Sequence, residues 1–126
     1  MIRSCFERGD GRVEKVDPIE APVFLVGCVR SGTTLLSLML SHHPEIAFPG
    51  EFDLCVDAIT EDGEVPELAD YYDWLHLNRH FHWHELKIDR SLSYSELVRS
   101  FLAKMKLEKA GDQKAHVGVA VHSKFE

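Results

Sequence analysis

The apolar positions of the chain fall into blocks of different period. Val23-Phe24-Leu25-Val26 is a short, unbroken apolar run rich in β-formers, which predicts a strand buried on both faces. Ala21-Pro22 introduces it and Gly27 ends it. Leu35-Leu36-Ser37-Leu38-Met39-Leu40, opened by Gly32-Thr33-Thr34, favours helix by composition. That helix should stop near His42-His43, because Pro44 disfavours helical backbone in the residue before it. Residues 22–43 therefore read as strand–loop–helix. Leu68, Tyr71, Tyr72 and Leu75 recur at helical spacing and predict a helix over residues 67–77. A further helix shows Leu97, Val98, Phe101, Leu102 and Met105 on one face. Ser93-Tyr94-Ser95-Glu96 is its capping box, with Ser93 at the N-cap. It should close near Ala110-Gly111, where Lys104, Lys106 and Lys109 complement the C-terminal dipole. Residues 116–121 read as a second strand.

The remaining segments carry weaker patterns. Residues 1–20 are polar, with Gly9, Gly11 and Pro18, and read as a leader ahead of a domain spanning 21–126. Residues 44–63 are irregular, with turn signals at Pro49-Gly50 and Glu61-Asp62-Gly63. Residues 78–90 follow neither period. Both predicted strands are of the buried parallel type, which belongs to larger sheets covered on both faces. The expectation is an α/β fold with a parallel sheet, incomplete in this chain, which reads as the N-terminal part of a longer protein.

Composition narrows the classes. A length of 126 residues fits one domain with a real core. With 44% hydrophobic and 28% charged residues, disorder is not the default. A net charge of −7 argues against a general nucleic-acid binder. Between residues 21 and 44, however, Arg30 is the one formally charged side chain, which leaves that window locally positive. Cys5, Cys28 and Cys55 are odd in number and lack CxxC spacing, which suits a reducing compartment. The first fifteen residues lack an apolar signal region, and no run approaches the roughly 20 residues that span a bilayer. The reading is cytoplasmic, with neither membrane nor nucleic acid as partner.

The chemistry concentrates in Gly27-Cys28-Val29-Arg30-Ser31-Gly32-Thr33-Thr34, which fits G-x-x-x-x-G-x-[ST] between a predicted strand and a predicted helix. In such a P-loop the glycines let successive N–H groups converge on one phosphate, and the helix N-terminus adds unpaired N–H groups. The nucleoside-triphosphatase version places lysine directly after the second glycine. Here Thr33 stands there, and the positive charge sits earlier, at Arg30. Hydrolysis of ATP or GTP would lack its main cation, so a single phosphate flanked by another anionic group suits the loop better.

The stretch PVFLVGCVRSGTTLLSLMLSHHPEIAFPGE, residues 22–51, resembles the 5′-phosphosulfate-binding segment of sulfotransferases. The strand, the Arg30-Ser31-Gly32-Thr33-Thr34 core, the leucine-rich helix, the His43-Pro44 turn and Gly50-Glu51 match in order. The likeness is best to the branch with protein-tyrosine sulfotransferases and bacterial relatives. It implies 3′-phosphoadenosine 5′-phosphosulfate as donor, a hydroxyl or amine acceptor on a small molecule, glycan or peptide, and no metal. It implies that Arg30, Ser31, Gly32, Thr33 and Thr34 hold the 5′-phosphate, that Arg30 stabilises the leaving phosphate, and that Glu51 takes the acceptor's proton. Many members carry a lysine on the second strand, where this chain has Val119, and His122 is the candidate substitute.

Rival readings remain open at this stage. A nucleotide-dependent kinase would use the same loop, and a non-catalytic fragment or binding module would use it without turnover. Glu51 could be a solvated loop carboxylate. His80, His82 and His84 alternate, so on a strand they would share a face fit for a metal, or else line a polar, acceptor-facing surface.

Overall fold

A computed structural model of the chain describes residues 4–7, 13–16, 19, 21–110 and 114–122. In chain order the elements are β1 (Ser4–Glu7), β2 (Val13–Val16), β3 (Val23–Gly27), α1 (Thr33–Ser41), β4 (Ile46–Glu51), a 3₁₀ turn (Asp53–Cys55), α2 (Leu68–Leu77), α3 (Arg79–Trp83), α4 (Tyr94–Ala110) and β5 (His116–His122). β1 and β2 pair antiparallel within the segment expected as a polar leader. β3, β5 and β4 form a parallel sheet in that spatial order, so the last of the three in sequence lies in the middle. The α/β class with a parallel sheet is thus what the chain adopts.

β5 behaves as an unbroken apolar run should, with Val117 to Val121 all buried. Val117, Val119 and Val121 join Leu97, Phe101 and Met105 of α4 in the main core. Gly118 and Ala120 point the other way, and Phe48 lies so close to Gly118 that a methyl there would sit 2.6 Å from its ring. β3 differs from its expected double burial. Phe24 is 46% and Val26 67% exposed, because little among the described residues packs over their face of the sheet, and β3 is also an edge strand that pairs with β5 alone among them.

β4 was hidden in the irregular segment, and its pairing says why. Ala47 stands opposite Val117 and Gly50 opposite Val119, so β4 carries one extra residue in a bulge. The bulge contains Pro49, which has no N–H to donate, and Gly50 sits at φ 120. Such a strand cannot alternate cleanly. Lys114 pins the approach to β4: its Nζ donates to the carbonyls of Ser41, His43 and Ile46 at 3.2, 3.1 and 2.9 Å.

α1, α2 and α4 follow the sequence expectations closely. α2 buries Tyr71, Tyr72 and Leu75. At α4, Glu96 reaches back to the Ser93 N–H at 2.8 Å as a capping box requires, while the Ser93 hydroxyl donates to the same carboxylate at 2.7 Å. These bonds lower the Glu96 pKa. The histidine triplet is helical, not extended. Asn78 Oδ1 caps α3 by accepting from the N–H groups of His80 and Phe81, and Phe81 anchors the short helix in the core. Helical backbone therefore removes the shared face that a period of two required of His80, His82 and His84. No helix among the described residues is long and apolar enough to cross a membrane.

Candidate functional site

The turn between β3 and α1 is shaped by its first glycine. A Cβ on Gly27 would lie 2.8 Å from Ser31 Oγ and 2.8 Å from Thr33 Cγ2, so only a bare backbone lets the loop fold back on the strand. Ser31 closes the turn twice: its N–H and its hydroxyl donate to the Cys28 carbonyl, at 3.2 and 2.6 Å. Arg30 and Gly32 both adopt left-handed backbone, at φ 67 and φ 88. For Gly32 this is free of steric penalty; for Arg30 it costs roughly 1–2 kcal/mol, held in place by the closed turn. Gly32 caps α1 without a side-chain hydrogen bond, and the first turn has no acidic residue. The leading N–H groups of α1 thus remain available to an anion.

Beside this loop lies an open cleft of about 760 Å³, lined by Arg30, Thr33 and Thr34 from the loop and α1, by Glu51 and Asp53, and by His122. Three elements build it. α1 begins at Thr33, β4 delivers Glu51 directly after its bulge, and β5 ends at His122, opposite Gly27 in register. The bulge re-phases β4, and Glu51 pairs with Ala120 beyond it.

The polar groups in the cleft are connected. His122 Nε2 lies 3.3 Å from Thr33 Oγ1 and 3.8 Å from Glu51 Oε1. On its other side, the His122 backbone N–H donates to Asp53 Oδ1 at 2.9 Å and Nδ1 stands 3.4 Å from Asp53 Oδ2. Glu51 is half exposed, Asp53 about a third, and His122 only 15%. Glu51, Asp53 and His122 also offer metal-ligand atoms within 4.8 Å of one another. Both Asp53 oxygens, however, face His122, which makes that carboxylate a partner of the histidine first.

The structure thus brings Arg30, Gly32, Thr33, Thr34 and Glu51 to one cleft. Ser31 is in the same loop, with its hydroxyl proton committed to Cys28. Asp53 is the member that sequence reasoning passed over. Its signal was faint: a second carboxylate two residues after Glu51, just beyond a Pro-Gly turn. Cys55, two residues further, is buried, and burial pushes its thiol up from 9.0 to about 12, which makes it an inert packing residue.

A family model described as "Sulfotransferase family" matches residues 22–117, from the start of β3 through α4 into β5. No curated protein and no solved structure matches the chain.

Proposed function

The chain belongs to the sulfotransferase family, and from that premise we propose that it binds 3′-phosphoadenosine 5′-phosphosulfate in the loop at residues 27–34 and transfers the sulfuryl group to a hydroxyl or amine acceptor. The observation that carries this reading is the uncapped N-terminus of α1 facing the same cleft as Arg30 and Glu51.

In this reading the α1 N–H groups and the hydroxyls of Thr33 and Thr34 hold the 5′-phosphate, in company with Ser31 and Gly32. Arg30, on the open side of the loop, meets the charge that collects on the leaving phosphate. Glu51 accepts the proton of the acceptor as its oxygen or nitrogen attacks sulfur. Its half-exposed position leaves room for an acceptor against the carboxylate. The reaction is an in-line displacement, so positioning and electrostatics carry the catalysis, as in phosphoryl transfer. The acceptor is a small molecule, glycan or peptide. Thr33 in the lysine position of a nucleoside triphosphatase weighs against a kinase.

The test pairs two variants. Arg30→Ala removes a charge-assisted hydrogen bond worth about 1.5–3 kcal/mol, and calorimetric titration with adenosine 3′,5′-bisphosphate should show the loss. Glu51→Gln keeps the shape but cannot take a proton. Turnover should fall by roughly 10²–10⁴ while donor affinity persists. An unchanged dissociation constant in the first variant, or near-wild-type turnover in the second, would reject the assignment.

A further inference from the structure

His122 stands against Thr33, beside the loop that the donor reading gives to the 5′-phosphate. It is the last residue of β5 and pairs with Gly27, so it sits at the floor of the loop. It is also the least exposed ionisable group of the cleft, whereas Arg30 lies on the exposed side. Asp53 holds it at two points, by the backbone N–H at 2.9 Å and by the ring at 3.4 Å. A carboxylate beside Nδ1 makes that nitrogen the N–H donor and leaves Nε2 to face Thr33 and Glu51. Protonated, the ring has an acceptor for each N–H.

We propose that His122 is a catalytic acid for the leaving group, and that Asp53 is the positioning residue that presents its Nε2–H to the loop. The inference rests on the donor reading above. As the acceptor atom bonds to sulfur, the bond from sulfur to the bridging oxygen breaks and its electron pair stays on the phosphate. His122 passes its Nε2 proton to that oxygen, Glu51 holds the proton taken from the acceptor, and exchange with water restores both. The two proton carriers stand 3.8 Å apart across the cleft, one on each strand.

The test uses the full chain and adenosine 3′,5′-bisphosphate, which carries the product phosphate and needs no acceptor. Among the described residues, the charged groups facing His122 are Asp53 and Glu51, with Arg30 on the same cleft; α1 contributes none. Calorimetry in buffers of different ionisation enthalpy measures proton uptake on binding. The wild type should take up a proton and bind more tightly at pH 6 than at pH 8. His122→Gln should bind roughly tenfold or more weakly at pH 6, the value of one charge-assisted hydrogen bond, and lose most of the proton uptake. Asp53→Asn should shift the pH at which uptake occurs, a readout that a merely structural role would not move, and Asp53→Glu should restore it. Release of the bisphosphate from the donor, with water as the acceptor, should slow by roughly 10²-fold or more in His122→Gln. Wild-type affinity, proton uptake and release rate in His122→Gln would overturn the proposal alone. A wild-type chain that fails to bind the bisphosphate would overturn the donor reading, and this proposal with it.

Discussion

Replacing Gly27 by alanine adds one methyl at the tightest point of the loop. Gly27 is not among the residues of positive φ, so alanine meets no backbone penalty and the effect isolates the side-chain collision. The methyl would lie 2.8 Å from Ser31 Oγ and 2.8 Å from Thr33 Cγ2, well inside the 3.5–4.0 Å of ordinary carbon contact. Ser31 must give up its 2.6 Å bond to the Cys28 carbonyl, and Thr33 must turn away from His122. Each lost hydrogen bond costs about 0.5–1.5 kcal/mol and each strained rotamer a similar amount. Two bonds and two rotamers together cost the turn about 2–6 kcal/mol in its ligand-ready shape. Ser31 is exposed, so the free protein relaxes and recovers part of this. A loss of about 2 kcal/mol in binding corresponds to roughly 30-fold in the dissociation constant. Calorimetric titration with adenosine 3′,5′-bisphosphate measures that loss, and a thermal melt alongside should show only a small shift. A dissociation constant unchanged by the methyl would refute the claim that Gly27 shapes the site.

Gly118→Ala drives a methyl to 2.6 Å from the buried Phe48 ring, and overpacking of this kind should lower stability by about 1–3 kcal/mol in a urea titration, with no loss if the ring simply swings aside. Alkaline pH should also destabilise the fold. Burial pushes the Cys55 thiol from 9.0 to about 12 and the Tyr94 phenol from 10.0 to about 12, and it raises Tyr71 as well. The folded values are raised, so the unfolded chain ionises first; the stability from these groups is complete below pH 9 and drains away between pH 9 and 12. Unfolding midpoints that stay level across that window would contradict the burial argument.

The sequence made the strand–loop–helix and α4 readable because both depend on local signals. The glycine spacing of the loop and the Ser93–Glu96 pair act within a few residues of one another. β3 was legible as a strand but not as an edge, since its neighbours are fixed by pairing with residues almost a hundred positions away. β4 was missed because its bulge breaks the alternation that marks a strand. The histidine triplet showed a period of two by accident of composition, and the Asn78 cap and Phe81 anchor decide for helix. Arg30 and Glu51 could be picked out by motif, and the structure places both on one cleft. Asp53 belongs to no motif. Its role exists only once β5 lays His122 against it, 69 positions later.

The order β3-β5-β4 also sets the timetable of assembly. β3 and β4 are made early but do not pair with each other; among the described residues each finds its sheet partner in β5. During synthesis at about 5–20 residues per second, the chain emerges with two apolar strands unpaired for several seconds. Ladders of such long sequence separation close slowly, because the loop entropy is lost before the pairing gains anything. Val23, Phe24, Ala47 and Phe48 stay unpaired in the nascent chain until residues 116–122 arrive. Pairing with β5 therefore brings the β5 histidine to the phosphate loop and the β4 carboxylate in one closing event, which completes the cleft.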